Sequence, residues 1–271
     1  MRTCFLLVLG LLACSGDRGD VSPDGARGRV GELRPSVEMT LATGVLRVDR
    51  APVTVAQFGR FVEETGYRTQ AEEFGDAGVF DTEAKAWRLA AGAFWRKPFG
   101  KTAGEAPPDH PVTQVSHRDA RAYCAHYGCR LPTAAEWEAA AEYGLEGVSG
   151  VYPWGEGIRA GDTGAYRANV WQGIFPHVRR VEDGYAYTSP VGAYGEHPSG
   201  LVDMAGNVWE WTADSVGGVG VPGDGTHYLS KGGSFLCEPG WCHGYLTTGS
   251  SHNSEETGLF HTGFRCVCDS Q

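Results

Sequence analysis

The segment KGGSFLCEPGWC, at positions 231–242, is the most informative part of this chain. Its two cysteines, Cys237 and Cys242, lie five positions apart and flank Pro239-Gly240, a dipeptide that favours a turn. A turn at this point brings the two sulfur atoms close together. Two converging thiols form a disulfide, act as a redox couple or hold a soft metal ion, and the residues alone leave all three uses open.

The composition around this segment is that of an acidic, loop-rich protein. The chain has 271 residues, of which 40 are glycine and 14 are proline, and its formal net charge is −10. Glycine at about twice its usual share argues against a helical bundle. Because phosphate binding needs clustered Lys and Arg, the net charge argues against nucleic acid as a partner. An acidic surface suits calcium or a cationic peptide better.

The N-terminus predicts export. Arg2 precedes a short apolar run at 5–13, which is typical of a signal peptide and too short to span a bilayer. The run ends in LLAC, at positions 11–14, which resembles the bacterial lipobox. We therefore expect residues 1–14 to be a signal peptide with a lipobox, and Cys14 to carry lipid. Simple secretion and an apolar start that is not cleaved stay open as the alternatives.

The residues after Cys14 predict a flexible tether at 15–36, because Gly, Asp, Arg and Pro dominate and there is little to bury. The mature protein is expected to be held by its lipid to the membrane of the cell envelope, at the outer membrane or the periplasmic face.

Residues 37–271 are predicted to form one domain, because no internal repeat or linker interrupts them. One or two strands are expected within 37–53, followed by a helix over 54–62 that Thr54 caps. Further helices are expected over 116–127 and 133–143, the latter opened by a Thr133–Glu136 capping box. Beyond Gly144 periodicity is weak, so metal ions and disulfides are expected to fix the loops.

Besides the cysteine segment, several other short motifs occur along the chain. They are QAEEFGD at 70–76, HPV at 110–112, VS at 115–116, RLPT at 130–133, EWE at 136–138, PWG at 153–155, NVWQG at 169–173, EDGY at 182–185, GNVWEW at 206–211 and GFRC at 263–266. Together they resemble the formylglycine-generating enzyme (sulfatase-modifying factor) family over most of the mature chain. The cysteine pair is the specific part, since other motifs occur in a wider superfamily that includes non-catalytic proteins. The resemblance implies an α+β fold, a single mixed domain with much irregular structure, akin to C-type lectins.

The resemblance also implies a chemistry. Members of this family use copper and O2 to convert a cysteine of a sulfatase-type client peptide or protein to formylglycine. Cys237 and Cys242 would hold copper(I), which two soft thiolates suit well, and Ser234 would lie beside the reacting centre. Trp241 and Trp209 are candidates for substrate binding, with packing in the core or cleft wall as the alternative. The competing hypothesis is a non-catalytic exported binding module in which Cys237 and Cys242 form a disulfide.

Two loops are predicted calcium sites by the same resemblance, because calcium prefers oxygen ligands. The first set is the side chains of Asn169 and Asp183 with the carbonyls of Val170 and Tyr185. The second set is the side chains of Asp203 and Glu210 with the carbonyls of Gly206 and Val208. Ordinary turn hydrogen bonds are the alternative for both loops.

Four further cysteines are expected to pair. The resemblance implies a Cys124–Cys266 disulfide, and we extrapolate a second bridge between Cys129 and Cys268, which lie just beyond those two positions. An exported domain can hold disulfides, and free buried thiols are the alternative.

The chain also departs from the family at its substrate cleft. Gly244, Leu246 and Ser250 stand where the family carries arginines, His261 replaces an asparagine, and His117 replaces a tryptophan. The thiol pair is thus kept while the peptide-reading surface has changed, so we expect the oxidation chemistry and doubt that sulfatases are the clients. No His-x3-His-x-Glu motif occurs, which argues against the related iron-dependent sulfoxide synthases.

Overall fold

A computed structural model describes residues 34–146, 151–217, 226–238, 240 and 242–270. The predicted signal peptide, Cys14 and the tether up to residue 33 lie outside the described residues. Arg34, which the sequence analysis assigned to the tether, is buried at 4% exposure and forms an ion pair with Asp49. The folded domain therefore begins slightly before the predicted boundary.

Four helices lie in the described residues, and each begins with a capping box. They are α1 (Val55–Thr65), α2 (Gln70–Phe74), α3 (His117–His126) and α4 (Ala134–Glu142). In each box the N-cap hydroxyl accepts the backbone N–H three residues on, and the side chain there reaches back to the N-cap backbone. Three of these helices were predicted from the sequence, whereas the five-residue α2 was not.

The strands form two sheets and two separate hairpins in the described residues. Their bounds are β1 (Ser36–Leu41), β2 (Gly44–Asp49), β3 (Asp76–Asp81), β4 (Ala86–Ala91), β5 (Gln172–Ile174), β6 (Val178–Arg180), β7 (Trp209–Val216), β8 (His227–Lys231), β9 (Ser250–Ser254), β10 (Thr262–Gly263) and β11 (Val267–Asp269). The three-stranded sheet has the order β1-β2-β11, and the four-stranded sheet has the order β10-β7-β8-β9, in which β10 runs parallel to β7. Strands β3 with β4 and β5 with β6 form the hairpins.

The core is built where α1 and α3 pack on the C-terminal segment. Phe58 and Tyr123 stack with their ring centroids 5.8 Å apart, and both rings contact Phe264. Trp211 at 0% exposure completes this cluster from β7. Burial of these large apolar side chains holds α1, α3 and β7 against the C-terminal segment.

Two disulfides fasten the same region. Cys124 in α3 bonds Cys266, and Cys129 bonds Cys268 in β11. These are the two pairings that the sequence analysis expected. No helix among the described residues is long and apolar enough to cross a membrane.

Candidate functional site

The cysteine pair lies in the loop that follows β8. The chain leaves β8 through Gly232 and Gly233, both with a left-handed backbone at φ 89° and 72°. A Cβ atom on Gly233 would lie 2.6 Å from the Tyr245 nitrogen, so only glycine fits there. This close approach lays the cysteine loop against the chain segment that follows it.

Two tight turns bring the sulfur atoms together. The Cys237 N–H donates to the Ser234 carbonyl at 2.9 Å, and the Cys242 N–H donates to the Glu238 carbonyl at 2.8 Å. The sulfur atoms of Cys237 and Cys242 lie at bonding distance, with the Cα atoms 4.9 Å apart. The structure thus confirms that the two side chains converge, and the two sulfur atoms form a disulfide.

The surroundings of the pair are partly buried. Cys237 is 2% exposed, and the Cys242 side chain is half-buried. Ser234 is fully buried, and its hydroxyl oxygen accepts the Leu236 N–H at 3.2 Å. Ser234 therefore begins the turn that ends at Cys237. The predicted substrate residue Trp241 lies outside the described residues.

The donor set suits copper(I) in chemical terms. The loop holds the two cysteines with their Cα atoms 4.9 Å apart, and their reduced form would supply the soft thiolates that this ion prefers. The Gly244 N–H donates to Cys242 Sγ at 3.4 Å, a contact that favours the thiolate form. The residues present thus fit the ion that the family resemblance implies.

Trp209 joins the cysteines to a cavity. It is 7% exposed, packs in one apolar cluster with Cys237 and Cys242, and lays its indole directly on Gly244. The same residue also lines a cavity of about 350 Å³. The lining residues are Trp87, Trp209, Ser251, Asn253, Leu259 and His261. Trp209 therefore belongs both to the cavity lining and to the apolar cluster that contains the cysteine pair.

The first predicted calcium set contains one buried oxygen without a partner and two oxygens that share a single donor. Asn169 is 1% exposed, and its Oδ1 atom is buried without a hydrogen-bond partner. The Gln172 side-chain amide donates both to the Val170 carbonyl and, at 2.6 Å, to an Asp183 carboxylate oxygen, so these two oxygens face one donor. Burial raises the pKa of Asp183, and the Tyr185 N–H donates to its other oxygen at 3.0 Å. The buried, unsatisfied amide oxygen of Asn169 suits a hard cation, which prefers oxygen ligands.

The second predicted set fits less well, because Glu210 already has a cationic partner. Arg265, at 0% exposure, donates to both carboxylate oxygens of Glu210 at 2.6 and 2.7 Å, and the Trp137 indole donates to one of them at 2.8 Å. Asp203 is 5% exposed, accepts the Gly192 N–H at 2.6 Å, and burial raises its pKa to about 6. Asp203 is thus the carboxylate of this set with the greater need for a cation.

The backbone parts of the second set serve the fold directly. A Cβ atom on Gly206 would collide with the Asn169 carbonyl, so glycine at φ 73° is required there. Val208, also in this set, is buried at 1% exposure. No group of three or more His, Cys, Asp or Glu side chains converges within the part of the chain that the structure describes. Each candidate calcium set accordingly depends on amide and carbonyl oxygens as well as carboxylates.

Asn207 connects the first set to the cysteine loop. It is 0% exposed, its N–H donates to the Asn169 carbonyl at 2.8 Å, and its carbonyl accepts the Phe235 N–H at 3.1 Å. A second link runs from the Trp171 N–H to the Cys237 carbonyl at 2.9 Å. The oxygen-rich loops and the thiols therefore form one hydrogen-bonded unit.

The sequence analysis missed Trp87 and did not recognise the role of Gly244. Trp87 lies on β4, is 49% exposed and lines the cavity. Its strand pairs with β3 in a regular hairpin, and the available signal was the strand preference of its aromatic residues, Phe80 and Trp87, which lie opposite each other. For Gly244 the available signal was the absence of a side chain at a position where the family carries an arginine.

Three curated relatives are similar to this chain over most of its length. The formylglycine-generating enzyme of Thermomonospora curvata is 37% identical, over 96% of this chain and 91% of its own. That of Streptomyces coelicolor is 40% identical, over 82% and 77%. The inactive C-alpha-formylglycine-generating enzyme 2 of Bos taurus is 36% identical, over 96% and 88%.

A solved structure shares the fold. PvdO from Pseudomonas aeruginosa superposes with a TM-score of 0.58 at 23% identity, over 84% of this chain and 81% of its own. The profile of the sulfatase-modifying factor enzyme 1-like domain matches residues 17–270. With the relatives above, this match shows that the chain belongs to the formylglycine-generating enzyme (sulfatase-modifying factor) family.

Proposed function

We propose that this protein is a copper-dependent oxidase that converts the cysteine thiol of a client peptide or protein to formylglycine with O2. The observation that supports this proposal is the convergence of Cys237 and Cys242 in a loop held by buried hydrogen bonds. The matched family includes enzymes and a relative named as inactive, so family membership alone does not decide activity. The paired thiols are the feature that favours an enzyme.

Bound copper(I) would supply the activation of O2. The chain's own residues would hold and shield the ion: Cys237 from a buried position, Cys242 from the accessible side of the loop, and Ser234 at the start of the turn. In the overall change the client's CH2–SH carbon loses two electrons and becomes an aldehyde, and sulfur leaves as hydrogen sulfide. One O2 takes up these two electrons and two more from an external thiol reductant, and forms the aldehyde oxygen and one water.

Copper binding is the first test. Under reducing conditions we expect one copper(I) ion per chain, and we expect Cys237→Ser and Cys242→Ser to lose it. The matched control is the double variant Cys129→Ser/Cys268→Ser, which removes a bridge away from the loop and should still bind. Wild-type protein that ignores equimolar copper(I) refutes the proposal.

Turnover is the second test. Cysteine peptides are incubated with copper-loaded protein, O2 and a thiol reductant, and mass spectrometry together with an aldehyde-reactive hydrazide reports loss of sulfur and gain of an aldehyde. Ser234→Ala should keep copper binding and lower turnover, because its hydroxyl lies in the turn beside Cys237. Equal turnover by this variant would remove Ser234 from the proposal.

A non-catalytic binding module is the second candidate. The disulfide between Cys237 and Cys242 favours it, as does the similarity to the bovine relative named as inactive. In that case the bond should resist mild reductants, the protein should take up no copper, and the cavity beside Trp209 would serve recognition alone.

The proposed setting is the bacterial cell envelope, with the protein anchored through lipid on Cys14. Metabolic labelling with a fatty-acid analogue tests this, since Cys14→Ser should abolish the label. Calcium bound at the Asn169 set completes the proposal, and the orphaned Asn169 Oδ1 supports it.

A further inference from the structure

The cavity next to the cysteine pair has a chemical character of its own. Two of its six lining residues are tryptophans, Leu259 adds an aliphatic wall, and Ser251 with Asn253 add neutral polar groups. Burial lowers the pKa of His261 to about 3, so its ring is neutral at physiological pH. None of the six lining side chains therefore carries a charge there.

The walls of the cavity are firmly seated. A Cβ atom on Gly78 would lie 2.5 Å from Leu259 Cδ2, so the leucine side chain packs where it does only because residue 78 is glycine. Trp87 meets His261 edge-on with the ring centroids 5.2 Å apart, and it meets Phe260 in the same way at 5.8 Å. Such edge-to-face pairs fix ring orientation. The cavity is thus a preformed space rather than a gap between mobile side chains.

The size matches a side chain better than a whole ligand. Pockets for small molecules span about 300–1,000 Å³, and this cavity, at about 350 Å³, lies at the lower end. A charged group that entered it would lose its hydration without gaining an opposite charge, which is strongly unfavourable. An aromatic or aliphatic group would instead meet the ring faces of Trp87 and Trp209.

We propose that this cavity receives an uncharged aromatic or branched aliphatic side chain that flanks the reactive cysteine of the client. The inference rests on the proposed function, because Trp209 lines the cavity and also belongs to the apolar cluster that contains Cys237 and Cys242. Ser251 and Asn253 lie two positions apart on β9, so their side chains lie on the same face of the strand. Both line the cavity and can offer hydrogen bonds to the client's backbone. The client would then be selected by a neutral apolar neighbour of its thiol.

Binding is measured apart from turnover. Fluorescein-labelled peptides carry serine in place of the reactive cysteine and Phe, Leu, Ala, Lys or Asp at the flanking positions, in one series before and one after the serine. Anisotropy with copper-free protein gives the affinities. We expect the Phe or Leu peptides of at least one series to bind roughly tenfold or more tightly than the Lys and Asp peptides. A single methylene group in a hydrophobic pocket already discriminates by about 10–200-fold.

Three variants locate the preference. Trp87→Ala should remove most of it, and Leu259→Asp should shift it towards the Lys peptide. Leu89→Ala is the matched control, because Leu89 lies on the same strand as Trp87, is 71% exposed and does not line the cavity. Should Leu259→Asp fail to fold, the comparison of Trp87→Ala with Leu89→Ala still tests the cavity assignment, because both side chains are exposed and both variants are expected to fold.

The outcomes separate the two proposals. Equal affinities across the panel, no measurable binding of any peptide, or equal effects of Trp87→Ala and Leu89→Ala overturn the cavity assignment. A clear preference with no turnover of the matching cysteine peptides keeps the cavity assignment and refutes the oxidase. Turnover of the cysteine peptides without any preference among the flanking side chains supports the oxidase and refutes the cavity assignment.

Discussion

The two structural disulfides lead to a prediction about coupled stability. Cys124–Cys266 and Cys129–Cys268 have sequence separations of 142 and 139, and they join the same two short segments. Either bridge alone closes the large loop. Once one exists, the other closes only a small ring, made of the five positions from Cys124 to Cys129 and the two from Cys266 to Cys268.

The chain-entropy model gives the magnitudes. A loop of 142 residues is worth about 5 kcal/mol, and a ring of seven residues about 2.4 kcal/mol, of unfolding free energy at 25 °C. Removing either bridge should therefore cost only about 2.4 kcal/mol. Removing both should cost about 7 kcal/mol, well above the sum of the single effects. Native-state strain and denatured-state structure reduce such values in practice, but they leave the excess of the double variant in place.

The assay is guanidinium unfolding under non-reducing conditions, followed by tryptophan fluorescence. Cys129→Ala/Cys268→Ala removes one bridge, Cys124→Ala/Cys266→Ala removes the other, and the quadruple variant removes both. The second pair also loses buried sulfur atoms, since Cys124 and Cys266 are 0% exposed, and the same loss recurs in the quadruple variant and cancels in the cycle. Additive losses, with no excess in the quadruple variant, would refute the reasoning.

Three further predictions concern the site. Calcium at 100 times its Kd should stabilise the protein by about 2.7 kcal/mol, so its chelation should lower the melting temperature measured by calorimetry. Asp183→Asn should abolish this difference between calcium-loaded and chelated protein. Burial holds the pKa of His261 near 3, so its contribution to stability is complete above pH 6.5 and is lost as pH falls towards 3. His261→Asn should therefore remove about 2 kcal/mol of the stability difference between pH 7 and pH 5 in urea unfolding. Gly244→Ala should displace the Trp209 indole and cost about 1–3 kcal/mol, measured by unfolding and by a shift in tryptophan emission. Gly104→Ala, with open space around its Cβ position, should do neither.

The sequence was most informative where the signal is local. The Thr133–Glu136 box predicted the start of α4, and Thr54 predicted the start of α1, because a capping box involves only neighbours in the chain. Convergence of Cys237 and Cys242 followed from the Pro-Gly turn between them. Membership of the family followed from motifs whose order no single local rule explains.

The cavity was beyond the sequence because its walls come from distant segments. Trp87 lies on β4, Trp209 begins β7, and His261 precedes β10. Only the tertiary fold places them together, and no pairwise spacing encodes that. The ion pair between Glu210 and Arg265, 55 positions away, could not be predicted from the sequence for the same reason.

The irregular half of the domain gains its order from buried polar contacts, and this bears on how the thiol pair is held. Asn207 has a left-handed backbone at φ 59°, and its side chain accepts the Ser189 N–H at 3.0 Å. Its backbone meanwhile bonds Asn169 on one side and Phe235 on the other. A buried polar network of this kind has one well-satisfied arrangement, and any displacement leaves unpaired groups that cost about 1–3 kcal/mol each. A cation at Asn169 and a metal at Cys237 would therefore each favour the same arrangement of the loop. The two sites should then stabilise one another, even though no side chain belongs to both.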